Sequence, residues 1–137
     1  MRQRIVVTGS SSGIGQAIAN HLLEDGHWVL GMDINPPTLI HPHFESIEVD
    51  LSQPERIREV APAVHDADAL VHAAGILRVG PLGELDHNDG QLMWAIHTQC
   101  AAVLADLLIP QMVKKRRGRV ILIGSRVAQG MPGRSQY

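Results

Sequence analysis

Three glycines near the N-terminus are the residues whose type and spacing point most directly to chemistry. They follow a short apolar run, residues 4–8, and precede an amphipathic stretch that extends to Glu24. Glycine is needed where a Cβ would block a ligand, and a helix that begins at such a turn offers N–H groups and the positive end of its dipole to a phosphate. We therefore predict a pyrophosphate cradle for a dinucleotide. The residues assigned to it are Gly9, Ser11, Ser12, Gly13, Ile14 and Gly15.

The spacing of these glycines, T-G-x-x-x-G-x-G over residues 8–15, differs from the commoner G-x-G-x-x-G fingerprint. Three glycines at a helix start can also be plain turn residues, but here strand, turn and helix occur in the order that phosphate binding requires. Asp33 ends the next apolar run, about 20 residues beyond the turn, where an acid accepts hydrogen bonds from the adenosine ribose. Because Asp33 would repel a 2′-phosphate, the sequence favours NAD over NADP. The alternative is a solvated acid at a strand end.

Apolar runs alternate with helical stretches along the chain, which is typical of a parallel sheet covered on both faces. The sequence predicts one α/β domain, residues 1–137, with a Rossmann-like doubly wound sheet in three layers (α/β/α) and an incomplete C-terminal edge. Pro54 suits the first turn of a helix, with Ser52 as its N-cap. Prolines at 36, 37 and 42 predict an irregular crossover after the second strand. The predicted strands are 4–8, 28–33, 46–50, 69–73 and 119–124, and the predicted helices are 14–25, 54–64 and 89–116.

The composition is that of an ordinary globular domain: 137 residues, 45% hydrophobic and 19% charged, with a net charge of −2. This balance favours neither nucleic acid nor a membrane as partner, and the basic run 114–117 is interpreted as a helix end. Cys100 is the only cysteine, which excludes an internal disulfide and favours a reducing, cytoplasmic location; its apolar surroundings indicate a core residue. No leader or membrane span is expected. His41 and His43, with no carboxylate or thiol motif beside them, do not predict a metal site.

The sequence resembles the short-chain dehydrogenase/reductase family along its whole length. The 8–15 motif matches that family's cofactor turn. Residues 71–75 are similar to the segment N-A-A-G that closes the family's fourth strand, with His72 in place of the usual asparagine, and residues 118–125 are similar to the fifth strand with its catalytic serine. The resemblance implies an NAD-dependent dehydrogenase. It places Asp50 and Leu51 beside the adenine, and Ala73, Ala74 and Gly75 on the nicotinamide side.

The resemblance also implies catalytic residues. Ser125 would hydrogen-bond the substrate oxygen, and Tyr137 would exchange a proton with it. Ser125 alternatively caps a turn at the strand end, and its separation from Tyr137 is one residue shorter than is commonest in the family. His97 stands where the family usually has an asparagine that helps to hold a water in a proton relay. Histidine can shuttle protons, and the alternative is that His97 only satisfies local backbone groups.

The lysine that follows the catalytic tyrosine in the family is not in this sequence, which stops at Tyr137, so we expect a truncated chain. The leading hypothesis is hydride transfer between NAD and a secondary alcohol or ketone, with a cyclic dihydrodiol or a 3-oxoacyl group as alternative substrates. Arg78 would meet a substrate carboxylate, or else it is a solvated loop residue. The competing hypothesis is a non-catalytic dinucleotide-binding module. By resemblance, the helix over 89–116 implies a homodimer or homotetramer.

Overall fold

The computed structural model describes residues 1–132 and has the predicted architecture, a parallel five-stranded sheet between two helical layers. The strands are β1 (Arg4–Thr8), β2 (Trp28–Asp33), β3 (Phe44–Glu48), β4 (Ala69–His72) and β5 (Arg119–Leu122). The helices are α1 (Gly13–Glu24), α2 (Pro54–Glu59), α3 (Ala61–Val64), α4 (His87–Trp94) and α5 (Cys100–Lys114). A π-helical turn, Ala95–Gln99, joins α4 to α5, and a 3-10 turn follows β5 at Arg126–Gln129.

The strand order in the sheet is β3-β2-β1-β4-β5, and every pairing is parallel. The chain therefore runs outward from β1 to β3 and then crosses to the other side of β1 for β4. In open α/β sheets a ligand binds at the carboxyl ends of the strands, at the point where the order reverses. This rule directs attention to the ends of β1 and β4.

Alternation along β1 divides the core between the two faces of the sheet. Val6 packs with Leu104 and Leu108 of α5 on one face. Ile5 and Val7 belong to a second cluster, which packs against α1 on the other face. Full burial of each such side chain contributes about 1.5–3 kcal/mol, so the central strand is held rigidly from both sides. The glycine turn that follows β1 therefore starts from a fixed position.

Several details differ from the sequence prediction. The stretch 54–64 is two helices, because Pro62 has no N–H and its ring would clash with the carbonyl of the fourth residue before it. Ser52 was wrongly expected to cap α2: Gln53 occupies the N-cap position, and the Ser52 hydroxyl donates to Asp50 instead. The third strand begins at Phe44, earlier than predicted, where it pairs with Val29 of β2.

The helical segment 87–114 begins earlier than predicted, because Asp86 caps it by accepting the N–H groups of Asn88 and Asp89. By length and composition this segment is also apolar enough to span a membrane, although no membrane span is expected from the sequence. One side of its second half, α5, packs on the sheet. The residues of α5 that are buried there are Cys100, Ala101, Leu104, Leu108 and Met112.

Candidate functional site

The glycine turn joins the carboxyl end of β1 to the first turn of α1. Gly9 donates its N–H to the carbonyl of Met32 at 2.8 Å, which holds the turn beside the end of β2. Gly15 packs α1 so closely against β1 that a Cβ there would overlap the Gly9 carbonyl oxygen. Gly13 has a φ of +54°, and within the described part of the chain a Cβ there would meet nothing within 4 Å. The turn therefore leaves open space at the start of α1.

The amino end of α1 is arranged to bind an anion. Ser12 is the N-cap residue, its side chain makes no capping hydrogen bond, and the first turn carries no acidic residue. The first N–H groups of a helix have no acceptor within it, and the helix dipole adds a partial positive charge there. Ile14 is 62% exposed beside these groups. Donors, dipole and open space together fit the pyrophosphate of a dinucleotide.

Asp33, at the end of β2, is connected to the glycine turn by a direct hydrogen bond. Its Oδ2 accepts the N–H of Ser11 at 3.0 Å, and its Oδ1 accepts the N–H of Asn35 at 2.9 Å. The residue is only 8% exposed. The carboxylate is therefore fixed at the edge of the cradle, and its contact with a ribose stays a prediction. The sequence indicated Asp33, but it gave no sign that Asn35 holds it.

A buried polar cluster joins the ends of β1 and β4. The Thr8 hydroxyl oxygen accepts the N–H groups of Ala73 and Ala74 at 3.1 and 3.0 Å, and it lies 2.9 Å from Nδ1 of His72. A hydroxyl has two lone pairs and one proton. Because both lone pairs are used, the Thr8 proton is donated to His72 Nδ1, and the ring proton of His72 is on Nε2. This cluster positions the segment 73–75.

His72 is 4% exposed, and this burial lowers the pKa of its imidazole below the ordinary value. The backbone carbonyls of Ile96 and His97 favour the protonated His72 ring and oppose that shift in part, whereas a proton on the neighbouring His97 ring would add to it. Nε2 of His72 is buried, and within residues 1–132 no atom completes a hydrogen bond to it. His72 is therefore a neutral ring at neutral pH, lying between β1 and the π-helical turn.

His97 lies on the π-helical turn and contacts the chain just after Gly75. Its Nε2 accepts the N–H of Ile76 at 3.0 Å. This bond is the local backbone role that the sequence analysis offered as the alternative to a proton relay. Because Nε2 is the acceptor, Nδ1 carries the proton of the neutral ring and faces away from this bond. The fold thus brings His97 beside the segment 73–75, while its part in proton transfer stays a prediction.

Ser125 follows β5 and caps the 3-10 turn. Its Oγ accepts the N–H of Val127 at 3.3 Å, so the capping role considered from the sequence is confirmed. This bond uses the hydroxyl oxygen as an acceptor, and its proton can still be donated to a substrate oxygen. Tyr137 lies outside the described residues, so the pairing of Ser125 with Tyr137 stays a prediction.

The two residues assigned to the adenine side have different surroundings. Asp50 accepts the N–H and the hydroxyl of Ser52 at 2.9 and 2.7 Å, and it also accepts a bond from Gln53. The hydroxyl of Ser52 is the main cause that lowers the pKa of Asp50, so this carboxyl stays ionised. Leu51 is buried in the core cluster beside α5, so a cofactor contact would come from its backbone.

Two other side chains named from the sequence, Arg78 and Cys100, have clearly defined surroundings. Arg78 forms an ion pair with Asp89, with 3.3 Å between Nε and Oδ1. Cys100 is a buried free thiol, and burial raises its pKa to about 12. The prediction that Cys100 is a core residue is confirmed, because a thiol with that pKa supplies almost no thiolate at neutral pH.

Comparison with known proteins agrees with this geometry. The sequence matches the short chain dehydrogenase family over residues 3–137. The chain belongs to the short-chain dehydrogenase/reductase family. It is 31% identical over 135 residues to short chain dehydrogenase ausX of Emericella nidulans, covering 92% of this chain and 68% of that protein. It is 27% identical over 143 residues to the vibriobactin-specific 2,3-dihydro-2,3-dihydroxybenzoate dehydrogenase of Vibrio cholerae, covering 93% and 54%.

Solved structures of this oxidoreductase family share the fold. A short-chain dehydrogenase from Streptomyces avermitilis superposes with a TM-score of 0.91 at 30% identity, covering 97% of this chain and 53% of that one. A 4-hydroxyisoleucine dehydrogenase complexed with NADH superposes with a TM-score of 0.88 at 24% identity, covering 98% and 61%. The chain therefore spans about half to two-thirds of the length of the proteins it matches.

Proposed function

We propose that this protein transfers a hydride between NAD(H) and a secondary alcohol or ketone. The observation that carries the choice of cofactor is the Asp33 carboxylate, which is fixed beside the glycine turn. A ribose 2′-hydroxyl can donate to it, whereas a 2′-phosphate would bring like charges together. Residues 34–43, which follow Asp33, contain no lysine or arginine to offset that repulsion. The NADH complex of 4-hydroxyisoleucine dehydrogenase, a protein of the same fold, supports this choice.

The positions of the residues suggest a role for each of them in this reaction. A bound nicotinamide supplies or accepts the hydride. The first N–H groups of α1 would bind the pyrophosphate, and the segment 73–75 would line the nicotinamide side. Ser125 would donate its hydroxyl proton to the substrate oxygen and so orient it. Tyr137 would give a proton to the alkoxide that forms during reduction, which a tyrosine does well only when a nearby cation lowers its pKa.

The substrate class rests on this acid–base pair and not on Arg78. The guanidinium of Arg78 is already paired with the Asp89 carboxylate. A substrate carboxylate would have to displace that partner. We therefore propose a secondary alcohol or ketone as the reacting group, with the cyclic dihydrodiols of the Vibrio cholerae relative as one candidate class. A 3-oxoacyl substrate is the other.

We also propose that the protein acts as a homodimer or homotetramer in a reducing cytoplasm. Apolar side chains on the outer face of the α4–α5 segment support an assembly between copies, because Trp94, Ile109 and Val113 are exposed there. The single reduced thiol of Cys100 is consistent with such a compartment. Sedimentation equilibrium would measure the number of subunits, and a monomer at micromolar concentration would contradict the assembly.

The test of the activity is a turnover assay on a panel of secondary alcohols, including cyclic diols and 3-hydroxyacyl thioesters, with NAD. Formation of the reduced nicotinamide would be followed by its absorbance. We expect turnover with at least one class, and its loss in S125A with NADH binding retained. Tight binding of NADH with no turnover on any substrate would instead support the non-catalytic dinucleotide-binding module.

A further inference from the structure

The connection between β2 and β3, residues 34–43, lies against the glycine turn and is here called the β2–β3 loop. A crossover between parallel strands usually contains a helix. This one has none, and its prolines at 36 and 37 restrict the backbone. Leu39 packs into the core cluster beside α1, which anchors the middle of the loop. A short, stiff and anchored loop can hold neighbouring groups in one position.

Thr38 is the residue through which the β2–β3 loop contacts the turn. Its hydroxyl donates to the carbonyl of Ser11 at 3.0 Å. The same oxygen accepts the side-chain amide of Gln16, in α1, at 2.7 Å. One hydroxyl thus bonds to both the glycine turn and the first helix. Both hydrogen bonds depend on that oxygen, so its removal breaks them together.

Ser11 is the residue of the glycine turn that Thr38 contacts, and all three of its polar groups form hydrogen bonds. Its N–H is donated to Asp33, its hydroxyl is donated to the carbonyl of Asn35 at 3.1 Å, and its carbonyl accepts from Thr38. The glycine turn, Asp33 and the β2–β3 loop are therefore joined by one continuous set of hydrogen bonds. The serine donors nearest Asp33, which a 2′-phosphate would need, are already used within the protein.

We propose that Thr38 is a positioning residue for dinucleotide binding and for the preference for a 2′-hydroxyl over a 2′-phosphate. Its hydroxyl holds Ser11 and Gln16, and through Ser11 it fixes the turn relative to Asp33. This inference rests on the proposed cofactor. Without the hydroxyl, the Ser11 carbonyl and the Gln16 amide lose their shared partner, and the turn and Asp33 are no longer held in a single geometry. A protein that lacks this hydroxyl should therefore bind NADH less tightly, and its ratio of the Kd for NADPH to the Kd for NADH should be smaller.

The test compares T38V, which keeps the shape of the side chain and removes its hydroxyl, with T38S, which restores the hydroxyl. We expect T38V to raise the Kd for NADH by about tenfold, because the turn must then be ordered when the nucleotide binds. T38S is expected to stay within about twofold of the wild type, and Q16L, which removes one of the two bonds, to lie between. N20A is the matched control, since Asn20 lies on the same helix and bonds to Glu24 instead.

Titration of each variant with NADH and with NADPH, together with its melting temperature, separates the possible outcomes. If the wild type binds neither nucleotide, the proposed function fails. If it binds NADH and T38V binds it equally well, the role of Thr38 is refuted while the proposed function stands. If T38V is less stable than the wild type, Q16L becomes the deciding variant. The Gln16 side chain is partly exposed and outside the core, so its replacement should not unfold the protein. An unchanged Kd and unchanged nucleotide ratio in Q16L would also overturn the role.

Discussion

The Thr8 hydroxyl lies 2.9 Å from Nδ1 of His72, and this contact joins the central strand to the neighbouring strand at the point where the order of the sheet reverses. The two residues are 64 positions apart in the sequence. Since the Thr8 oxygen also accepts two backbone N–H groups, the direction of the bond and the tautomer of His72 are both determined. The end of β4 thus accepts the Thr8 proton with a titratable ring.

Replacement of Thr8 by valine is expected to destabilise the fold by about 2–4 kcal/mol. The change leaves the buried Nδ1 of His72 and the part-buried N–H groups of Ala73 and Ala74 without their partner. A fully buried unsatisfied group costs about 1–3 kcal/mol, and part-buried groups, which water still reaches, cost less. Urea unfolding measures the effect. T8S keeps the hydroxyl and is the control, with a loss below about 1.5 kcal/mol for the missing methyl group. Equal losses in T8V and T8S would show that the hydroxyl contributes nothing.

The stability of the protein is expected to fall as the pH drops below about 6.5, and His72 is the cause. Burial lowers the pKa of its imidazole from 6.5 in the folded state, so the unfolded chain binds more protons in the interval between the two pKa values. Acid therefore favours unfolding there, and His72 has no such effect above about pH 7. The measurement is the free energy of unfolding from about pH 8 to pH 5 for the wild type and H72N.

The matched comparison for that pH profile is H43N, because burial also lowers the pKa of His43 at the opposite end of the sheet. Below about pH 6.5, the free energy of unfolding should depend less steeply on pH in H72N than in the wild type. The reduction in slope should be larger in H72N than in H43N. A slope in H72N as steep as that of the wild type would exclude His72 as a source of the pH dependence.

Gly13 and Gly26 form a matched pair for testing the phosphate cradle. Both have positive φ, +54° and +81°, and at both positions a Cβ would meet no described atom within 4 Å. G13A and G26A should therefore lose a similar stability, about 1 kcal/mol, to backbone strain. Only G13A places a methyl group in the cradle, so isothermal titration with NADH should show a loss of at least about tenfold for G13A and little change for G26A. Similar affinities in the two variants would remove Gly13 from the site.

Cys100 is expected to be inert in the folded protein. Its thiol is buried on α5, and burial raises its pKa to about 12. An aromatic disulfide reagent at about pH 8 should label it only after denaturant is added, because the thiolate is the reacting form. Labelling of the native protein at the rate of a free thiol would show that the α5 packing opens readily.

The parts of the site that the sequence predicted are those whose signal is local. The glycine turn and Asp33 were found because a strand, a turn and a helix in sequence fix their own geometry. The break of the second helical stretch also had a local signal, since Pro62 was visible in the sequence. Thr38 with Gln16, and Thr8 with His72, were not found because their partners are 22 and 64 residues away. No periodicity relates such residues, and only the packed sheet brings them together.

The most direct measurement is a pair of equilibrium titrations, with NADH and with NADPH, on the wild type and on D33A. The fixed carboxylate of Asp33 predicts that the wild type binds NADH more tightly than NADPH, by about tenfold or more, and that D33A narrows or reverses this ratio. Tighter binding of NADPH by the wild type, or a ratio that D33A leaves unchanged, would contradict an NAD site built on Asp33 and the glycine turn.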